Sequence, residues 1–176
     1  ELVWSLYRQT RHYLEVGPEA LNQQHSRGEA HAEVAKLMTR DYGAEMEAHF
    51  QYMPARYFQM FNSQEIAGHL KLFRAFFENH LTRNDPPPYA PAFQWIAQPD
   101  QGYSEVWVCG WDRPRLLERI AGAFLAAQIN ILSADIFTRG DNLAVDTFRV
   151  CLTGMEPVTD LRDIARVETR LIDSLA

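Results

Sequence analysis

A proline-rich segment divides this chain more sharply than any other feature of its sequence. Residues 82–91 read TRNDPPPYAP. Proline lacks the backbone N–H that helices and central strands require, and a run of prolines favours extended polyproline conformation. The spacing of apolar residues also changes across this segment. We therefore predict three parts: a helical connector over residues 1–81, a linker over residues 82–92 and a folded domain over residues 93–176.

Apolar residues before the linker recur at helical spacing. The segments Leu2–Leu14, Glu19–Thr39 and Ala44–Tyr52 each predict a helix, with breaks at residues 17–18 and at Pro54. The chain opens directly in this pattern at Glu1 rather than at a methionine. We therefore expect it to be part of a longer protein.

A longer helix is predicted from Ser63, whose hydroxyl can cap its first turn. Its apolar positions, at helical spacing, are Ile66, Leu70, Phe73 and Phe77. We expect Phe73, Phe76 and Phe77 to form the core of the helical part.

After the linker the period of the apolar residues changes to two. The segment Tyr103–Trp111 is rich in β-branched and aromatic residues, which favour strands. Alternation places Val106 and Val108 on one face and Trp107 and Cys109 on the other. The segment predicts a strand.

A helix and a pair of strands follow. Asp112 and Pro114 are expected to open the helix. Its apolar positions are Leu116, Leu117, Ile120, Ala121, Phe124 and Leu125. The segments Ile129–Thr138 and Leu143–Leu152 predict strands joined by a turn at residues 139–142.

A last helix ends the pattern, with either Thr159 or Asp160 as its cap. Its apolar positions are Leu161, Ile164, Ala165, Leu171, Ile172 and Leu175. The order strand, helix, strand, strand, helix is one strand short of the βαββαβ unit of ferredoxin-like folds. We therefore predict the α+β class, an all-α segment followed by a ferredoxin-like domain whose final strand falls after Ala176.

The missing strand has a structural consequence. In the ferredoxin-like topology the last strand lies beside the first, so the edge of Tyr103–Trp111 would be open to pairing. We predict that Phe93–Ala97, followed by the turn-prone residues 98–102, pairs with this edge as a hairpin.

Charge and composition disfavour some classes of binding partner. The net charge is -6 and the pI is near 5.5, which disfavours binding to nucleic acid or to anionic membrane surfaces. The sequence has no apolar run of membrane-spanning length and no signal-peptide pattern, so we expect a cytoplasmic protein. Its 2 cysteines are too few for a disulfide scaffold.

Several motifs of the domain carry a resemblance to a known family. They are Asp112–Leu117 with Ile120–Gly122, Ile129–Ala134, Ile136–Thr138 and Asp146–Phe148. Together they resemble an ACT domain, specifically the first of two ACT domains in the bifunctional PII uridylyltransferase and uridylyl-removing enzymes. Upstream, Leu6–Thr10, Met53–Phe58 and Glu65–Ala67 resemble the stretch that follows the HD hydrolase domain of that family.

The resemblance implies a regulatory function. In that family a nucleotidyltransferase domain attaches uridylyl groups to PII, an HD domain removes them, and the ACT pair senses glutamine. None of the 6 histidines here is followed by aspartate, and no Gly-Ser turn precedes an Asp-x-Asp pair, so both metal-binding motifs for phosphoryl chemistry are missing from this sequence. We therefore expect no catalysis and no cofactor in this chain alone, and the upstream catalytic domains of the parent enzyme as its partners.

The resemblance also places an effector site. In ACT domains the loop after the first strand and the start of the second strand form it, usually across an interface between two domains. The corresponding residues here are Asp112, Arg113, Arg115, Leu116, Asn130 and Ile131. A helix N-terminus can receive a carboxylate, and an asparagine side chain offers both a donor and an acceptor. Asp112 would alternatively only cap the helix.

Arg115 departs from the pattern of that family, in which glycine normally follows the proline. Glycine lets a ligand or a neighbouring backbone approach closely. Arg115 would either cap a ligand carboxylate or fill the site.

Other residue groups have simpler interpretations. His25, Glu29 and His31 lack the further ligands that zinc needs, which favours a solvated helix face. Cys109 and Cys151 fall on strands expected to be neighbours and would approach each other as buried thiols. The tryptophans Trp95, Trp107 and Trp111 would either pack the sheet against the helices or anchor an interface.

Two functions remain open. The first is a sensor that binds a small amino acid, glutamine by the resemblance, and transmits the signal to the parent enzyme. The second is an interaction module that pairs with a second ACT domain, or as a homodimer, and binds no small ligand.

Overall fold

The computed structural model describes residues 19–82 and 90–175, with side chains for residues 27–81 and 90–174. The described helices are α1 (Glu19–Leu37), α2 (Gly43–Tyr52), α3 (Tyr57–Met60), α4 (Ser63–Thr82), α5 (Leu116–Ala126) and α6 (Leu161–Leu175). The described strands are β1 (Ala92–Gln98), β2 (Tyr103–Trp111), β3 (Asn130–Thr138) and β4 (Leu143–Cys151). The helix predicted at Leu2–Leu14 lies outside the described residues.

The chain forms two compact units, Glu1–Gly68 and His69–Ala176, and the boundary between them falls within α4. Residues 83–89, most of the predicted linker, lie outside the described part of the chain. The linker at residues 82–92 therefore remains a prediction.

The first unit contains α1, α2, α3 and the beginning of α4. The helices predicted at Glu19–Thr39 and Ala44–Tyr52 are confirmed as α1 and α2. Its buried apolar side chains are Val34, Phe50, Met53, Tyr57, Phe58, Ile66 and Ala67. Within this core the rings of Phe50 and Phe58 stack with their centroids 4.7 Å apart.

Asn62, not Ser63, caps α4. The Asn62 Oδ1 atom accepts hydrogen bonds from the backbone N–H groups of Gln64 and Glu65, at 2.9 and 3.0 Å. The Glu65 carboxylate in turn accepts the Asn62 N–H at 2.8 Å. This reciprocal capping box satisfies donors that the first turn leaves unpaired, so the prediction of Ser63 as the cap was wrong by one residue.

The second unit contains an antiparallel sheet in the order β1-β2-β4-β3. The predicted hairpin is confirmed, because β1 pairs along the whole of β2 with Phe93 opposite Val108 and Ala97 opposite Ser104. Gly102 closes the turn with a φ of 72°, a conformation that favours glycine. β1 therefore occupies the edge of β2 that the last strand of a ferredoxin-like unit would take. The α+β ferredoxin-like class is confirmed.

Helices α5 and α6 cover one face of this sheet. Val106 and Val108 of β2 point into this core, as the alternation predicted, and pack with Ile120, Phe124 and Phe148. Asp160 caps α6, since its Oδ1 atom accepts the Arg162 N–H at 2.8 Å. Of the two predicted caps, the aspartate is therefore the observed one.

The part of α4 within the second unit packs on the other face. The ring of His69 lies 4.4 Å from that of Trp107, and burial lowers the pKa of His69 to about 3. Phe76 contacts Trp111 with centroids 5.9 Å apart. The guanidinium of Arg139 lies 5.0 Å from the Phe73 ring centroid.

The predicted helical core of Phe73, Phe76 and Phe77 was therefore wrong. Phe73 and Phe76 belong to the unit that contains the sheet rather than to a helical core, and Phe77 is 39% exposed. All three tryptophans make packing contacts, with Trp95 donating a hydrogen bond to Glu168 at 2.9 Å and contacting Phe124.

The apolar stripe of α5 is narrower than predicted. Ile120 and Phe124 are fully buried, whereas Leu117 is 46% and Leu125 is 77% exposed. Leu161 of α6 is likewise exposed, while Val167, which the pattern omitted, is buried. A helix on an open sheet buries only the side chains that point at the sheet.

The two cysteines do not approach each other. Cys109 pairs with Val145 near the start of β4, whereas Cys151 ends that strand. Both thiols are buried and free. The expected proximity was wrong because neighbouring strands bring together only residues in register.

Candidate functional site

The loop between β2 and α5 is held against the ends of β3 and β4. The Asp112 backbone N–H donates to the Asn142 carbonyl at 2.8 Å. The Thr138 hydroxyl donates to the Asp112 carboxylate at 2.9 Å. The N-cap position of α5 is Arg115, and no side chain caps it. The interpretation of Asp112 as a helix cap was therefore wrong, because its side chain bonds across the sheet.

Arg115 adopts a left-handed backbone conformation with a φ of 68°. This region disfavours residues with a Cβ by roughly 1–2 kcal/mol, which supplies a second physical reason for glycine at this position in the family that the sequence resembles. The guanidinium donates two hydrogen bonds to Glu118, at 2.8 and 2.6 Å. This pairing raises the pKa of Arg115 and lowers that of Glu118. The Arg115 side chain is 72% exposed, and whether it caps a ligand carboxylate or fills the site stays a prediction.

An open cavity of about 210 Å³ lies where this loop meets the sheet. Its lining residues are Asp112, Arg113, Arg115, Leu116, Leu117, Ile136, Thr138, Ala144 and Asp146. Typical ligand pockets measure roughly 300–1,000 Å³, so this cavity suits only a small molecule. Four of the six predicted site residues line it.

Asp146 supplies the buried polar group of this cavity. It lies on β4 between Val108 and Ile136 of the neighbouring strands and is 1% exposed. Burial raises its pKa to about 7, the Phe137 backbone N–H that bonds it acts to lower that value, and the nearby Asp112 carboxylate raises it further. Its Oδ1 atom accepts no hydrogen bond from the described residues.

A second, smaller cavity adjoins Asp146. Its volume is about 10 Å³, close to the minimum that holds one water molecule. Its lining residues are Pro91, Val108, Gly110, Trp111, Arg113, Leu116, Ala144 and Asp146. Asp146 thus lines both cavities.

The remaining predicted residues lie elsewhere. Asn130 and Ile131 begin β3, opposite Cys151 and Val150, and both are exposed. The cavity is at the other end of this nine-residue strand, which at ~3.3 Å per residue is about 25 Å away. A single copy of the chain therefore does not bring the two groups together.

Five lining residues were not predicted as site residues: Leu117, Ile136, Thr138, Ala144 and Asp146. All of them except Ala144 fall within motifs that carry the resemblance. Asp146 offered a physical signal. It occupies the same face of β4 as Ala144, Phe148 and Val150, and a carboxylate on the inward face of a central strand is rarely found without a partner.

Described residues elsewhere form neither a metal cluster nor a membrane helix. His31 lies 3.0 Å from Glu47 and packs on Phe50. In the described ranges, no group of three or more His, Cys, Asp or Glu side chains is arranged to hold a metal ion. None of the described helices combines the length and apolar character needed to cross a bilayer.

The fold and the cavity together define the second unit as a ferredoxin-like α+β domain with a cavity of small-molecule size at the start of α5. No protein-family model matches the chain. Individual relatives do match, and those described next have the same name.

The chain is similar to segments of the bifunctional uridylyltransferase/uridylyl-removing enzymes of several bacteria. It is 28% identical to that of Nitrobacter winogradskyi over 151 residues, 85% of this chain. It is 36% identical to that of Rhodospirillum rubrum over 84 residues, 48% of the chain, and 26% identical to that of Idiomarina loihiensis over 132 residues, 75% of the chain. The matched segments make up 9%, 15% and 14% of the R. rubrum, N. winogradskyi and I. loihiensis enzymes. The chain thus fits a fragment of such an enzyme, which confirms the resemblance to bifunctional uridylyltransferase/uridylyl-removing enzymes.

Proposed function

We propose that this chain is a regulatory, amino-acid-sensing ACT region of a bifunctional uridylyltransferase/uridylyl-removing enzyme. Glutamine is the proposed effector, and its binding would control the uridylylation and deuridylylation of PII by the catalytic domains of the parent enzyme. The observation that carries the proposal is the cavity of about 210 Å³ beside Asp112–Leu116, because the resemblance locates the effector site at this loop.

The polarity of the cavity suits an amino acid. Its lining includes the first turn of α5, whose backbone N–H groups favour a carboxylate, and Arg113. It also includes Asp112 and Asp146, whose carboxylates favour an ammonium group. A zwitterion could satisfy both kinds of group at once.

A second domain would complete the site. β3 is the last strand of the sheet, so its outer edge is available for pairing. Two such edges pairing antiparallel about a two-fold axis would bring the start of one β3 beside the end of the other. Asn130 of the partner subunit would then lie near Thr138 and the cavity. This arrangement would bring the predicted loop residues of one copy close to the predicted β3 residues of the other.

The surface near this edge supports such pairing. Leu117 and Leu125 on α5, together with Ile131 and Ile136 on β3, are between 37% and 77% exposed. The same surface favours the second candidate function, an interaction module that pairs with another ACT domain and binds no small ligand.

A thermal melt of the chain with a glutamine series tests the proposal. Ligand at ~10 times its dissociation constant stabilises by ~1.4 kcal/mol, which raises the melting temperature by a few degrees for a chain of this size. Glutamate and asparagine serve as controls. Asp100→Asn, in the exposed turn between β1 and β2, is the control variant and should retain the response.

The interaction module predicts a different result. Self-association measured by sedimentation would rise with protein concentration, would be unaffected by glutamine and would be lost in Leu125→Asp. If no amino acid changes the melting temperature and this self-association is observed, the sensor function is refuted and the interaction module is supported.

A further inference from the structure

Asp146 combines deep burial with an incompletely bonded carboxyl group. Only 1% of the residue is exposed, and its Oδ1 atom accepts no hydrogen bond from the described part of the chain. Burying a carboxyl without full hydrogen bonding costs free energy that a leucine or valine at the same position would not. This residue also lines both the larger and the smaller of the two cavities. It is therefore placed to meet a ligand.

The groups around Asp146 leave a negative charge there uncompensated. Asp112 on the loop after β2 repels it. Burial raises the pKa of the nearby Cys109 thiol, Arg139 lowers it and Asp146 raises it further. The guanidinium of Arg139 is paired with Asp141 at 2.7 Å. Arg113 lines both cavities. Within residues 19–82 and 90–175, no cation forms an ion pair with Asp146.

A positive group entering the cavity would meet two carboxylates that repel each other. One oxygen of Asp112 accepts the Thr138 hydroxyl at 2.9 Å, and Asp146 keeps Oδ1 unbonded. A primary ammonium has three N–H donors on a compact charge, so it can bond both carboxylates. A carboxamide, which has no charge, would not relieve the repulsion.

We propose that Asp146 is the specificity-determining residue of this cavity, accepting the ammonium group of a bound amino acid. This assignment rests on the proposed amino-acid function and names the group that recognises the ligand. The ionised carboxylate is the form that binds.

Binding should consequently weaken as the pH falls. With a pKa of about 7 in the unliganded protein, about nine-tenths of Asp146 is ionised at pH 8 and about one-tenth at pH 6. Apparent affinity scales with the competent fraction. The dissociation constant of an ammonium ligand should therefore rise about tenfold between pH 8 and pH 6, and a proton should be released on binding near pH 7.

The titration of Asp146 itself is the primary test. Its carboxyl carbon is followed by carbon-13 NMR in the 176-residue chain, with the resonance assigned by its loss in Asp146→Asn. The chain is titrated alone, with glutamine, with 4-carbamoylbutanoate (glutamine without its amino group) and with each of the other common amino acids. We expect glutamine to lower the pKa of Asp146 and 4-carbamoylbutanoate to leave it unchanged.

Calorimetry with a matched variant completes the test. Asp146→Asn should weaken glutamine about tenfold at pH 8 and abolish the pH dependence, whereas Asp100→Asn, the same charge change in the exposed β1–β2 turn, should do neither. Glutamine binding that leaves the Asp146 titration unchanged would overturn this inference and leave the sensor function standing. If only another amino acid lowers the pKa, the inference holds and glutamine is the wrong effector. If no amino acid changes it, the inference is overturned.

Discussion

Replacing Asp146 with asparagine should stabilise the protein at neutral and alkaline pH. Burial raises the pKa of this carboxyl from 3.8 to about 7 in the folded chain. Below about pH 4 the group is protonated in the folded and the unfolded chain alike. Between about pH 4 and pH 7 only the unfolded chain releases the proton, so the free energy of unfolding falls as the pH rises. Above about pH 7 this loss is complete.

The magnitude follows from the width of that pH window. A change from 3.8 to about 7, at ~1.4 kcal/mol for each pH unit, corresponds to about 4 kcal/mol. Asparagine avoids this cost but buries an amide N–H₂ group that needs acceptors, at ~1–2 kcal/mol. We therefore expect Asp146→Asn to be more stable than the wild type by about 2–3 kcal/mol at pH 8 and to lose that advantage by pH 4.

Urea unfolding across this pH range measures the difference. Three of the 4 tryptophans, Trp95, Trp107 and Trp111, lie in the sheet-containing unit, so their fluorescence reports on the unit that holds Asp146. Titrating groups that do not interact with Asp146 are shared by the two proteins and cancel in the comparison. Unfolding midpoints of wild type and variant that run parallel from pH 4 to pH 8 would refute the reasoning.

Three further substitutions test the fold, each by urea unfolding. Asn62→Ala removes the cap of α4 and should cost ~1 kcal/mol, whereas Ser63→Ala should change stability by less than ~0.5 kcal/mol. Gly102→Ala should cost more than ~1 kcal/mol, since the φ there is +72° and an added Cβ would lie 2.9 Å from the Met155 carbonyl oxygen. Gly154→Ala is its control, because a Cβ there would lie 3.9 Å from the nearest atom. Arg115→Gly should relieve the left-handed strain and raise stability by up to ~1 kcal/mol, and a loss of stability would contradict that account.

The strands were predictable because their signals are local. Alternation within Tyr103–Trp111 assigned Val106 and Val108 to one face and Trp107 and Cys109 to the other, and the structure preserves that assignment. The hairpin with Phe93–Ala97 followed from a simple requirement, since an exposed edge beside a turn-prone segment favours pairing. Its register then fixed which residues lie opposite each other.

The partners of the helices were not predictable in the same way. Helical periodicity identifies the apolar face of α4 but not the surface against which that face packs. Phe73 and Phe76 consequently appeared to belong to a helical core, although they pack within the unit that contains the sheet. The burial of Phe76 in place of Phe77 depends on the rotation of the helix about its axis, which tertiary contacts determine.

The candidate site was predictable only in part. Loop residues Asp112, Arg113, Arg115 and Leu116 followed from the resemblance, and the structure places them around one cavity. Asn130 follows from the same resemblance but lies at the far end of β3. No property of a single sequence reveals whether two such groups meet within one copy or between two.

At position 146, the stability of the fold and the recognition of a ligand favour different residues. A residue that serves only the fold should not cost about 4 kcal/mol at its own position, because an apolar side chain would remove that cost. Residues that destabilise the fold in this way are concentrated at functional sites. The proposal therefore requires Asp146→Asn to change two properties in opposite directions, raising the free energy of unfolding at pH 8 while weakening the amino acid. A purely structural role would change both in the same direction, and a carboxylate without any role would change only the stability.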